Sequence, residues 1–197
     1  CESAKPQARE PFPIKEQHVG TIFFSMAGEG RGHATRVATV VEELRHDHKV
    51  VLFASAQAFD FLTAKYPATG NVEVRRIPGL QFSYRQGRLD YFRSLRQSLP
   101  YLRRMRHHVE QLQRAIEKSQ PDLIVTDFEP LMPRAAAGCG RSFVSFDHQH
   151  FLTTYDLSSL PPPLRRRAWW MGRFVDAFYQ GQSHSIVSSF YFPPLKP

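Results

Sequence analysis

Short, solid apolar runs along the chain are separated by longer stretches in which apolar residues recur every three or four positions. Residues 19–24 are the first such run and predict a buried strand, which leads through Gly28, Gly30 and Gly32 into a helical pattern reaching Leu44. Residues 49–54 predict a second strand, and 56–66 a helix that stops before Pro67. Residues 71–77 alternate like a half-buried strand and end on Pro78-Gly79. A polar, aromatic stretch over 81–90 has no clear period, and a long helical pattern over 91–118 is interrupted by Pro100. Residues 121–126 predict a fourth strand, followed by an Ala-rich helix, and 142–146 a fifth. Pro161-Pro162-Pro163 marks a break before an amphipathic helix over 164–179, and 184–188 predict a last short strand. Apolar strands alternating with helices predict an α/β fold: a parallel sheet with helices on both faces. There is no internal repeat and no low-complexity segment.

In such sheets the working groups gather outside the carboxyl ends of the strands, where the βα loops meet. The first strand runs into Gly28-Glu29-Gly30-Arg31-Gly32-His33, the fourth ends on Asp127-Phe128-Glu129, and the fifth on Asp147-His148-Gln149-His150. A strand feeding a glycine-rich turn and a helix collects backbone N–H groups at a helix N-terminus, a site suited to an anionic group such as a diphosphate. The G-x-G-x-G spacing is neither the dinucleotide fingerprint nor the P-loop. The glycines also fit plain architecture, a tight turn that lets helix and strand approach. His33 and Asp127 make a candidate general-base pair, the carboxylate fixing the imidazole tautomer and stabilising the imidazolium. Glu129 can itself be the base if burial lifts its pKa. Alternatively, Asp127 caps the next helix and Glu129 sits in its first turn. The His148-x-His150 pair lacks a located third ligand, so hydrogen bonding of residues 147–150 to a polyol substrate is expected and no metal is assigned. No G-x-S-x-G elbow and no H-E-x-x-H is present, which counts against hydrolase chemistry.

Composition narrows the setting. The chain has 197 residues, 42% of them hydrophobic, and no apolar run approaches the ~18–20 residues needed to span a bilayer. Residues 1–18 are polar and carry no apolar signal-peptide core, so a disordered lead-in is expected there. Two cysteines, Cys1 and Cys139, form no metal or disulfide framework, which points to a reducing, cytoplasmic compartment. A net charge of +8 favours polyanionic partners. Ten arginines lie between Arg75 and Arg114, interleaved with aromatic residues. In the second basic segment Arg165, Arg166 and Arg167 precede Trp169 and Trp170, a combination suited to an anionic membrane interface. The same segment also fits an ordinary helix packing its Trp face on the sheet. Nucleic acid is not expected as a partner, because no recognisable reading module is present.

Taken in order, the segments GEGRGHATR (28–36), IPGL (77–80), YRQGRLD (84–90), PDLIVTDFEP (121–130), FDHQH (146–150) and SSFYFPP (188–194) resemble the amino-terminal domain of GT-B glycosyltransferases. Within these the chain is similar to the MJ1255-type enzymes, and more distantly to the lipid-linked N-acetylglucosaminyltransferase of peptidoglycan synthesis. The resemblance implies a Rossmann-like domain over 19–192 that binds the acceptor and supplies the base, with 193–197 opening a linker to a second domain outside this sequence. It implies transfer of a sugar from a nucleotide-sugar donor, itself a substrate, to an acceptor hydroxyl, with no cofactor and no obligatory metal. His33 and Asp127 match the family's base and its supporting carboxylate, Glu129 stays open, and the glycine loop would lie near the donor diphosphate. A lipid-linked acceptor and a peripheral position at the inner face of a membrane are further expectations. The isolated chain is expected to have little activity. Two other functions fit the same fold: a non-catalytic module docking on a membrane or a partner, and a different nucleotide-binding enzyme.

Overall fold

The structure is a computed structural model that describes residues 19–67, 70–80, 83–85, 88–178 and 181–196. The lead-in expected over 1–18, and Cys1 within it, lie outside the described residues. In chain order the elements are β1 (Thr21–Met26), α1 (Gly32–Leu44), β2 (Lys49–Ala54), α2 (Ala56–Lys65), β3 (Val72–Arg76), β4 (Tyr84–Arg85) and β5 (Arg88–Leu89). They continue with α3 (Tyr91–Ser119), β6 (Leu123–Asp127), α4 (Leu131–Gly138), β7 (Val144–Asp147), α5 (Phe151–Thr154), α6 (Pro162–Phe178) and β8 (His184–Val187).

Six of the strands form one parallel sheet in the order β3-β2-β1-β6-β7-β8. The alternation of side chains along the strands loads both faces. Ile22, Phe24 and Met26 of β1 pack with Val37 and Val41 of α1 and Leu62 of α2. Phe23, Val51 and Phe53 point the other way, onto Leu112 and Ile116 of α3 and Leu131 and Met132 of α4. Burial on both sides is why these strands read as solid apolar runs rather than alternating ones.

The structure departs from the sequence pattern in four places, one of them the short helix α5, where no element is expected. The stretch 81–90 contains two short strands, β4 and β5, paired antiparallel, where no element is expected. Gln81, Phe82, Gln86 and Gly87 of that stretch lie outside the described residues. The helix expected to be interrupted at Pro100 is continuous for 29 residues. Proline in a helix interior costs about 3 kcal/mol, but Tyr101, Leu112 and Ile116 are buried along the helix and anchor it to the sheet. Finally, β6 and β7 each run one residue further than expected, so Asp127 and Asp147 are strand residues with no solvent exposure. Residues 193–196, where a linker is expected, are tied to α5: Leu195 pairs with Tyr155, and Asp156 N–H donates to the Pro194 carbonyl.

Candidate active site

Strand order reverses between β1 and β6, the kind of switch point outside whose carboxyl ends such sheets open a crevice for ligands. The two ends are level: Met26 is in register with Asp127, and Ala27 N–H donates to the Asp127 carbonyl oxygen at 2.9 Å. The Asp127 carboxylate, fully buried, needs donors in place of water. Helix α1 supplies them. His33 Nδ1 lies 2.8 Å from Oδ1. One turn further along, Arg36 donates from Nη2 to Oδ1 and Oδ2 at 2.5 and 2.7 Å and from Nε to Oδ2 at 3.1 Å. Arg36 also donates from Nη1 to Ser188 Oγ at 3.2 Å, and its guanidinium sits 5.7 Å from the Phe146 ring centroid. One side chain thus links the ends of β6, β7 and β8.

The acceptor-only carboxylate fixes the imidazole. Its oxygen calls for a proton on His33 Nδ1, which leaves Nε2 with the lone pair. Nε2 has no hydrogen-bond partner among the described residues, and the His33 side chain is 17% exposed. Arg36 Nη2 also approaches Nδ1, at 3.2 Å, but its bonds to the carboxylate are shorter. An imidazole with one nitrogen held by a buried carboxylate and the other reachable can take a proton from a hydroxyl.

The glycine loop beside it is built from unlike parts. A Cβ on Gly28 would fall 2.1 Å from Ser55 Oγ, so here a glycine is needed for close approach to the β2–α2 turn. Gly30 has φ +73° and nothing within 4 Å of its Cβ position, so its requirement is conformational. Gly32 also faces open space. The architectural reading holds for Gly28 and not for Gly32. Helix α1 starts with no side-chain cap and no acidic residue in its first turn, so its N-terminal N–H groups remain available to an anion.

Glu129 is built differently. It is buried, and its two oxygens accept the N–H groups of Leu131 (2.8 Å) and Met132 (2.9 Å), capping α4. Glu129, and not Asp127, is the cap of that helix. Burial pushes its carboxyl up to about 7, although the backbone donors and Ser25 pull it down. With Gly28, Glu29, Ser55, Gly79, Leu80 and Phe128 it lines a cavity of about 30 Å³, room for a water or two.

The 147–150 turn separates into inward and outward groups. Asp147 accepts His150 N–H at 2.8 Å and lies 2.6 Å from His150 Nδ1, with both side chains buried. Gln182 Nε2 approaches His150 Nε2 at 3.3 Å. His148 points to the surface, its Nδ1 2.8 Å from the Ser188 carbonyl oxygen, while half-buried Gln149 accepts the His148 N–H. The two histidines therefore diverge, and only His148 and Gln149 of this turn are open to a substrate. Arg165, Arg166, Arg167, Trp169 and Trp170 are all exposed on α6.

Two contributors escape a reading by residue type. Arg36 lies inside the GEGRGHATR segment, one helical turn from His33, and that spacing is the signal that could have found it. Ser188 joins the site only through β8, and nothing local to it carries that information.

No curated protein matches the chain by sequence. Solved structures do match by shape. LpCGTa in complex with UDP aligns with 88% of this chain at 18% identity and a TM-score of 0.56. UGT2 of Phytolacca americana, complexed with UDP-2-fluoro-glucose and pterostilbene, aligns with 88% at 14% identity and a TM-score of 0.51. MurG of Acinetobacter baumannii aligns with 65% at 15% identity and a TM-score of 0.47, too low to carry an argument. The chain spans 46% of LpCGTa and 48% of UGT2, a little under half of each. The fold is thus the α/β, Rossmann-like parallel sheet found in GT-B glycosyltransferases. The family model of glycosyl transferase family 1 matches residues 20–197, the strand-end segments of the crevice among them, and the chain belongs to that family.

Proposed function

We propose that the chain is the acceptor-binding half of an enzyme that transfers a sugar from a nucleotide-sugar donor to an acceptor hydroxyl. The observation that carries this reading is the His33–Asp127 pair, with His33 Nε2 unoccupied beside the glycine loop at the β1/β6 crevice. His33 Nε2 removes the proton of the acceptor hydroxyl as its oxygen bonds to the anomeric carbon. The bond from that carbon to the donor diphosphate breaks, and a nucleoside diphosphate leaves. Asp127 stabilises the imidazolium, and Arg36 is a positioning residue that holds Asp127. The glycine loop and the α1 N-terminus lie near the diphosphate and meet its growing charge. His148 and Gln149 contact acceptor hydroxyls.

Support comes from the family match and from the UDP and UDP-2-fluoro-glucose named for LpCGTa and UGT2. Most of the nucleotide sugar would be held by a second domain outside these 197 residues, and the chain alone would turn over little of it. Glu129 is the second candidate for the base. Its raised pKa favours it, while the commitment of both oxygens to the α4 N-terminus weighs against it.

The test combines the chain with a donor-binding half and follows release of nucleoside diphosphate from a panel of nucleotide sugars. Loss of transfer in His33→Ala with the fold intact is expected. Full activity in both His33→Ala and Asp127→Ala would refute the assignment, and robust turnover by the isolated chain would refute the division of labour.

A further inference from the structure

Helix α6 packs the wrong way round for a core helix. Ala168, Gly172 and Val175 recur at four- and three-residue spacing on its inner side, where Gly172 lies against Leu152 and Thr153 of α5. The large residues are on the other side. Leu164, Trp170, Met171 and Phe174 recur at helical spacing and are about half exposed or more, Trp170 at 66% and Met171 at 49%. Trp169, at 58%, flanks the stripe. Small residues inward and large apolar residues outward means that the amphipathic face is not spent on this domain. Of the two readings of this segment, the one in which the Trp face packs on the sheet does not hold.

Basic residues border this stripe. Arg166 and Arg173, seven positions apart, run along one side, and Arg167 sits within its amino-terminal end. All three are exposed and make no ion pair among the described residues. Arg165 donates to the Ser158 carbonyl oxygen, and with Pro162, Pro163, Arg166 and Trp169 it lines an open groove of about 550 Å³.

We infer that α6 is a docking surface for an anionic phospholipid bilayer. Its axis lies in the membrane plane, with Trp170, Met171 and Leu164 entering the interface and Arg166, Arg167 and Arg173 meeting lipid phosphates. Indole settles at headgroup depth, guanidinium pairs with phosphate, and no helix of the described residues is long and apolar enough to cross a membrane. The charge argues for lipid over a second copy of the chain. A two-fold interface through this stripe would bring each copy's arginines against their counterparts in a protein already at +8. The inference stands independently of the transfer chemistry.

The two tryptophans of the chain are both on this helix, so tryptophan emission, excited selectively over tyrosine, reports on α6 alone. The experiment titrates the 197-residue chain with phosphatidylcholine vesicles, with and without phosphatidylglycerol, and measures emission together with co-sedimentation. A blue shift and pelleting are expected with anionic vesicles, weakening as salt rises. Each basic residue at an anionic surface is worth roughly five-fold in binding, so Arg166→Gln/Arg167→Gln should bind about 25-fold more weakly. Trp170→Ser should lose most of the pelleting while keeping its circular dichroism. Three results would overturn the inference: no shift with anionic vesicles, equal binding to vesicles of phosphatidylcholine alone, or a lipid-free, concentration-dependent shift reporting self-association.

Discussion

Two histidine–aspartate pairs stand at neighbouring strand ends of this sheet, alike in chemistry and opposite in design. In each, the last residue of a strand is an aspartate with no solvent exposure, and a histidine Nδ1 lies within 3 Å of its carboxylate. Asp147 and His150 are three residues apart, and the pair closes the turn that starts α5. The His150 side chain is 5% exposed, and Gln182 approaches its second nitrogen. Asp127 and His33 are 94 residues apart, on different elements, and the second nitrogen of His33 is available. A pair made locally stabilises the local backbone. A pair assembled across the switch point of the sheet leaves one imidazole nitrogen open at the strand ends, the position the proposed function needs for a base. What separates a structural from a chemical pair here is access to Nε2, and not the identity of the residues.

Exchanging the histidines should break this symmetry most sharply. If the proposed function holds, then in the chain combined with a donor-binding half His33→Asn should lower kcat by about 10²- to 10⁴-fold, the usual worth of a general base, with unfolding midpoint little changed. His150→Asn should leave kcat of the folded fraction near wild type. Equal losses in the two variants would remove the distinction.

Next in size is Arg36→Met, which withdraws the guanidinium that donates three hydrogen bonds to the buried Asp127 carboxylate. A loss of about 3 kcal/mol in urea unfolding is expected, as for other buried pairs broken from one side. The corresponding prediction for the local pair is smaller. His150→Asn should cost about 1–3 kcal/mol, the penalty of leaving a buried acceptor short of a donor.

Glu129 sharpens the comparison as a third buried carboxylate at the same edge, one whose donors are backbone groups. Burial makes it bind its proton more tightly in the fold, at about 7, than in the unfolded chain, where the carboxyl titrates near its ordinary 4.5. The native state therefore holds more protons in that window, and stability falls as pH rises through it, by up to roughly 3 kcal/mol. Denaturation curves across this range should show the slope in wild type and a flatter profile in Glu129→Gln. If Glu129→Gln abolished transfer while His33→Asn did not, the roles of the two residues would be reversed.

Much of this was readable in one dimension. Solid apolar runs at 49–54 and 121–126 mark strands because a strand covered on both faces has no polar side to show. His33, Asp127, Glu129 and residues 147–150 could be gathered from a linear chain because parallel topology brings all strand ends to one edge. The paired strands β4 and β5 were not readable, since two-residue strands carry no period. The intact helix through Pro100 was not readable either, since its anchor residues bind a sheet formed elsewhere in the chain.

The sequence by itself determined the alternation of strands and helices and the edge at which chemistry gathers, which follow from local periodicity and a fixed chain order, while its motifs carried the resemblance to glycosyltransferases. Only the tertiary structure decided which histidine keeps a reachable nitrogen, that Arg36 and Ser188 join the site, and that the tryptophans of α6 face outward. Each of these depends on what packs against a side chain from tens of residues away. Burial and access are properties of that packing, and no local spacing encodes them.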